Sequence, residues 1–99
     1  MNSNVFLNNV EDLISQYYEK GVLAFRYLSK DKNGCDLLLE FIEKEGTFCN
    51  EDVFSYLLSE YDKYLSLKDL RKLEEGLVFK NQKIKREINR VRNDILSEM

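Results

Sequence analysis

The chain has 99 residues, 43% apolar and 33% charged, with 15 Lys and Arg against 18 Asp and Glu, a formal charge of −3 and no histidine. Such a balance suits one soluble domain, too apolar to be disordered and too short for two cores. Without His the chain lacks the usual base near neutral pH, the commonest metal ligand and the partner of a Ser or Cys nucleophile, so no catalytic, metal or cofactor residues are expected.

Other classes are disfavoured by what the sequence lacks. No run approaches the roughly 18 apolar residues of a bilayer span, and residues 1–13 lack the pattern of a secretory leader, so a cytoplasmic location and no membrane contact are expected. Cys35 and Cys49 lie outside any CxxC pair and read as buried or idle thiols. The four glycines, Gly21, Gly34, Gly46 and Gly76, match no phosphate-binding loop. Glu40 and Glu43 share a helix face, a spacing that leaves a carboxylate-based enzyme as one alternative and a solvated helix surface as the simpler reading.

In chain order, the first segment, residues 4–30, opens behind Ser3 or Asn4 as N-cap. It carries an amphipathic stripe through Phe6, Val10, Leu13, Ile14 and Tyr17 toward Ala24, Phe25 and Leu28. Gly21 either ends this helix or admits a close neighbour. Asn33 and Gly34 favour a turn, after which a short helix rich in Leu runs to Gly46. The Asn-Gly pair leaves an alternative α+β reading with a hairpin at about 22–42. Asn50 caps the next helix, whose inward stripe is Val53, Phe54, Leu57, Leu58, Tyr61 and Leu65. Ser66 with Asp69 forms an approximate capping box for the last one.

A last helix over residues 66–98 would be a rod of about 50 Å at 1.5 Å per residue. A domain of this size has a radius of gyration of only about 13 Å, so the rod must overhang, bend or pair. Its apolar face narrows after Lys80 to a seam of Leu77, Asn81, Ile84, Ile88, Val91 and Ile95. That spacing suits either self-association as a coiled coil, giving a homodimer, or an antiparallel bundle.

Charge is divided along the chain. Residues 65–99 hold nine basic and six acidic groups, net +3, whereas residues 1–64 hold six and twelve, net −6. Lys83, Arg86 and Arg90 stand on the polar side of the last helix. No aromatic residue follows Phe79 to stack on bases, and the acidic remainder repels phosphate. Nucleic acid is therefore the disfavoured partner, through a DNA-binding regulator that uses the basic C-terminal helix. Tyr17 and Tyr18 cannot both face one core, so Tyr18, together with Tyr64, is a candidate contact for a partner protein.

These features predict an all-α fold, a three- to four-helix bundle with a long C-terminal helix competent to form a coiled coil. One domain, 1–99, would comprise bundle helices over 1–65 and the long helix over 66–99. The functional expectation is a small acidic protein-binding module acting without catalysis, an inhibitor, immunity-type or regulatory protein that docks on a partner.

Overall fold

A helix starts where a polar side chain can satisfy the first free backbone N–H groups. In the computed structural model, which describes residues 7, 9–45, 51–76 and 82–98, α1 spans Val10–Lys20 behind Asn9. Asn9 is extended (φ −152°, ψ 170°), and its Oδ1 accepts from the Asp12 N–H at 2.9 Å. The helix therefore begins behind Asn9, and Ser3 and Asn4, the N-caps expected from the sequence, lie outside the described residues. It ends at Gly21, where φ is +64° and the N–H bonds to the Tyr17 carbonyl. A Cβ on Gly21 would meet nothing within 4 Å, so the backbone conformation, not crowding, is what favours glycine. The chain continues as a 3₁₀ helix, η1, over Gly21–Tyr27, which buries Ala24 and Phe25.

Asn33 and Gly34 do not make a reversing turn. Both lie in the first turn of α2, Lys32–Glu45. Asp31 acts as its cap: Oδ1 accepts from the Gly34 N–H at 3.2 Å and from the Ser29 hydroxyl at 2.6 Å. Those bonds, the Ser29 hydroxyl foremost, hold the Asp31 carboxyl below the usual carboxylate range. A Cβ on Gly34 would lie 1.8 Å from the Ser29 carbonyl oxygen, so only glycine allows this approach. The hairpin alternative over 22–42 is thus overturned, and no strand occurs among the described residues. Helix wins because Cys35, Leu38, Phe41 and Ile42 fall on one helical stripe that is fully buried.

The third helix, α3, spans Glu51–Glu60, and a short 3₁₀ turn, η2, covers Asp62–Tyr64. Val53, Phe54, Leu57 and Leu58 point inward, as their spacing predicts. Gly46, Cys49 and Asn50 lie outside the described residues. Three tyrosines from this region fasten η1 and the chain that links it to α2. Tyr56 donates to the Phe25 carbonyl at 3.3 Å, Tyr61 to that of Ser29 at 2.8 Å, and Tyr64 to that of Lys30 at 3.3 Å. Two of these bonds, those to Phe25 and Ser29, are partly buried, where a carbonyl benefits from a protein donor, and tyrosine supplies one on an apolar body. The rings continue into the core, where Tyr17 meets Phe41 edge-on at 5.0 Å and Phe25 lies 5.0 Å from Tyr56.

Ser66 and Asp69 form the reciprocal box read from the sequence, with Asp69 N–H on Ser66 Oγ at 3.1 Å and Ser66 N–H on Asp69 Oδ2 at 3.0 Å. They open α4, Leu67–Gly76, and α5 follows over Gln82–Ser97. These two do not form one rod. Arg92 pairs with Glu74, 18 positions earlier, whereas a straight helix would hold those residues about 27 Å apart. α5 instead returns alongside α4 and packs on α3. Ile84, Ile88 and Val91 are each only 1% exposed, and burying them in the chain's own core is the physical reason for the return. α1 packs on η1 and α2, and α2 on α3, which gives an all-α bundle. Its radius of gyration is 13.6 Å, and its extents are 47 × 28 × 17 Å.

Candidate functional site

A concavity lies between α2 and α4, a groove of about 650 Å³. On α2 its wall is Asp36, Leu39, Glu40 and Glu43, at i, i+3, i+4 and i+7, which is one helix face. The adjoining face of the same helix carries Leu38, Phe41 and Ile42 into the core, so the groove begins at the edge of the buried stripe. On α4 the wall is Asp69, Lys72, Leu73 and Glu75. The floor is apolar: Ile42 and Leu73 are buried, and Leu39 is half-buried between floor and rim.

The rim is strongly acidic. Five carboxylates, from Asp36, Glu40, Glu43, Asp69 and Glu75, surround one ammonium, that of Lys72, leaving five minus one, a net −4. Two of the five are engaged. Asp36 pairs with Lys32 at 2.9 Å, and Asp69 belongs to the Ser66 box. Glu40, Glu43 and Glu75 have no hydrogen bond or ion pair among the described residues. Lys44, four residues after Glu40 and a natural helical partner for it, reaches instead to Glu11 of α1 at 3.3 Å.

The opposite charge lies elsewhere. Lys83, Lys85, Arg86 and Arg90 are exposed on the outer side of α5. Arg90 pairs with Asp94 at 3.3 Å, and Arg92 engages Glu74 and Asn89.

The structure separates the residues singled out in the sequence. Tyr18 is 71% exposed and donates from its hydroxyl to Glu45, near Val22 and Leu23 of the following η1, which are also exposed. Tyr64 is half-buried against the core and holds the Lys30 carbonyl, a structural task. In the seam, Ile84, Ile88 and Val91 are inside the chain's own core and Ile95 packs against it. Leu77 and Asn81 lie outside the described residues. Cys35 is fully buried, and burial pushes its thiol up to about 11, away from nucleophilic use. Lys30 lies over the rings of Tyr56, at 4.6 Å, and Tyr61, at 5.6 Å. Burial opposes its charge, but the Tyr56 hydroxyl and Glu60 outweigh that and hold its pKa above the ordinary value.

The chain matches no protein-family model, no curated protein and no solved structure. Among the described residues no group of three or more His, Cys, Asp or Glu is arranged to hold a metal ion, and no helix is long and apolar enough to cross a membrane. The acidic groove is the one site that sequence reasoning did not assemble. Its α2 half was visible, since Glu40 and Glu43 share a face, but the spacing says nothing of α4 lying opposite.

Proposed function

We propose that this protein is a non-catalytic binding module that docks on a partner protein through the groove between α2 and α4, in the manner of a small inhibitor or regulator. The observation that carries this reading is an apolar floor ringed by carboxylates, three of them without partners among the described residues. Like charges gathered beside apolar surface repel one another in the isolated chain, and a complementary surface that covers them turns that repulsion into attraction. Tyr18, Val22 and Leu23, exposed at the end of α1 and the start of η1, offer a second contact of the aromatic and aliphatic kind that anchors interfaces.

Capture from native extract tests the proposal, comparing the unaltered protein with a Glu40→Lys/Glu43→Lys variant whose fold is checked by circular dichroism. One protein retained by the first and lost with the second, and forming a defined complex when purified, is the expected result. Equal capture by both would remove the groove from the mechanism.

A second reading is favoured by the basic outer side of α5: binding to duplex phosphates through Lys83, Arg86 and Arg90. It requires nuclease-sensitive capture, affinity falling steeply with salt, and loss in a Lys83→Ala/Arg86→Ala/Arg90→Ala variant.

A further inference from the structure

We infer that the occupant of the α2/α4 groove is a basic amphipathic helix of the partner protein, about two turns of which lie along the groove. This rests on the reading above and adds the chemistry of the guest.

Three observations select it. First, the rim favours cations, because its five carboxylates face the one ammonium of Lys72, and Glu40, Glu43 and Glu75 form no ion pair among the described residues. Second, the floor of Leu39, Ile42 and Leu73 demands apolar anchors between those cations. A guest must therefore carry both kinds of side chain on one face, which is what an amphipathic helix does. Third, both walls are α-helices, whose backbone N–H and C=O groups are engaged within the helices themselves. An extended peptide would find no strand edge to pair with, and its own backbone groups would lose water without compensation. A helix satisfies its backbone internally. The α2 rim from Asp36 to Glu43 spans about 10 Å at 1.5 Å per residue, matching apolar anchors at i, i+3 or i+4, and i+7 of the guest.

A second copy of this chain is the weaker fit. The outer side of its α5 supplies cations, but Ile84, Ile88 and Val91 are buried in the core, so that side offers few anchors for the floor.

The test uses synthetic 14-residue helical peptides and titration calorimetry against the full chain. A Leu/Lys peptide with Leu at i, i+3, i+7 and Lys on the flanks should bind, with affinity falling as salt rises. Its all-polar Lys/Gln counterpart should bind about tenfold or more weakly, a difference of about 1.4 kcal/mol. Glu40→Lys/Glu43→Lys should lower affinity by at least about the same factor, and so should Leu39→Ser. Glu19→Lys/Glu98→Lys makes the same change in net charge at exposed positions away from the groove and should leave binding nearly unaltered. Equal loss in both charge variants would overturn the inference by reducing binding to net charge. Spermine binding as tightly as the Leu/Lys peptide would also overturn it, in favour of a small polycation. Concentration-dependent self-association abolished by Glu40→Lys/Glu43→Lys, without peptide binding, would assign the groove to a second copy. Should a native partner require Glu40 and Glu43 while the Leu/Lys peptide fails, the binding-module reading stands and the helical guest is wrong.

Discussion

Truncating Ile88 distinguishes an α5 that completes the core from one built to pair with another chain. Ile88 is 1% exposed and sits one helical turn from both Ile84 and Val91 on the inward side of α5, which packs on α3. Ile88→Ala removes three carbons, a transfer loss of about 2.4 kcal/mol at roughly 0.8 per buried methylene. The space left behind adds to this, so the total should fall in the range of about 2–5 kcal/mol typical of such truncations. A domain of this size has a total stability on the order of 5–15 kcal/mol, so the loss is a large share of it. Urea unfolding followed by far-ultraviolet circular dichroism should show a lower midpoint with an unchanged slope, and the midpoint should not depend on protein concentration. Arg86→Ala, on the exposed side of the same helix, should stay within about 0.5 kcal/mol. A loss below about 1 kcal/mol for Ile88→Ala, or a midpoint that climbs with concentration in the unaltered protein, would refute the placement of this seam in the monomer core.

Two further outcomes follow from the same packing. Gly34→Ala forces a Cβ into a space 1.8 Å from the Ser29 carbonyl oxygen and 3.0 Å from the Tyr61 hydroxyl, so the α2 entry must shift. Thermal denaturation should show a loss of about 1–3 kcal/mol or more, as for overpacked sites, whereas Gly21→Ala should be limited by its backbone conformation alone. Burial pushes the Cys35 thiol from about 9 up to about 11. The unfolded chain therefore releases this proton first as pH rises, so the contribution of Cys35 to stability is fully present below about pH 9 and is lost between there and about pH 11. In a Cys49→Ser background, alkylation by iodoacetamide at pH 8.5 should be slow in the folded protein and rapid in urea, as read by mass spectrometry.

The sequence disclosed most helices through their local stripes, and the start of α4 through its cap. Ser66 with Asp69 and the inward face of α3 were readable from spacing of three or four residues, whereas Gly21 fitted either a helix end or a close approach. What escaped it depended on the folded backbone or on partners distant in sequence. Asn33-Gly34 looks like a reversal until Asp31 caps the next helix and Ser29 leaves room only for glycine. Residues 66–98 look like a rod because nothing local reports that Glu74 will face Arg92. The coiled-coil spacing of Ile84, Ile88 and Val91 is real, but a stripe of that kind fits equally well into the chain's own bundle. The groove was half legible: the α2 carboxylates were seen, and the α4 wall was not.

The division of charge along the chain bears on why that groove would be kept. Net −6 over residues 1–64 and +3 over residues 65–99 suggests two halves that neutralise one another. The ion pairs between elements are local stitches instead: Glu11 with Lys44, Lys30 with Glu60, and Glu74 with Arg92. None of them reaches Glu40, Glu43 or Glu75, and Lys44, which could have paired with Glu40 along α2, is committed to α1. Like charges one turn apart, such as Asp36 and Glu40, cost a helix about 0.2–0.5 kcal/mol per pair. A fold selected for stability alone would have little reason to gather such charges around an apolar floor. Charge left uncompensated within the chain is what a surface needs if compensation is to come from a partner, and retention of a partner by the unaltered protein but not by Glu40→Lys/Glu43→Lys separates that proposal from a merely solvated helix face.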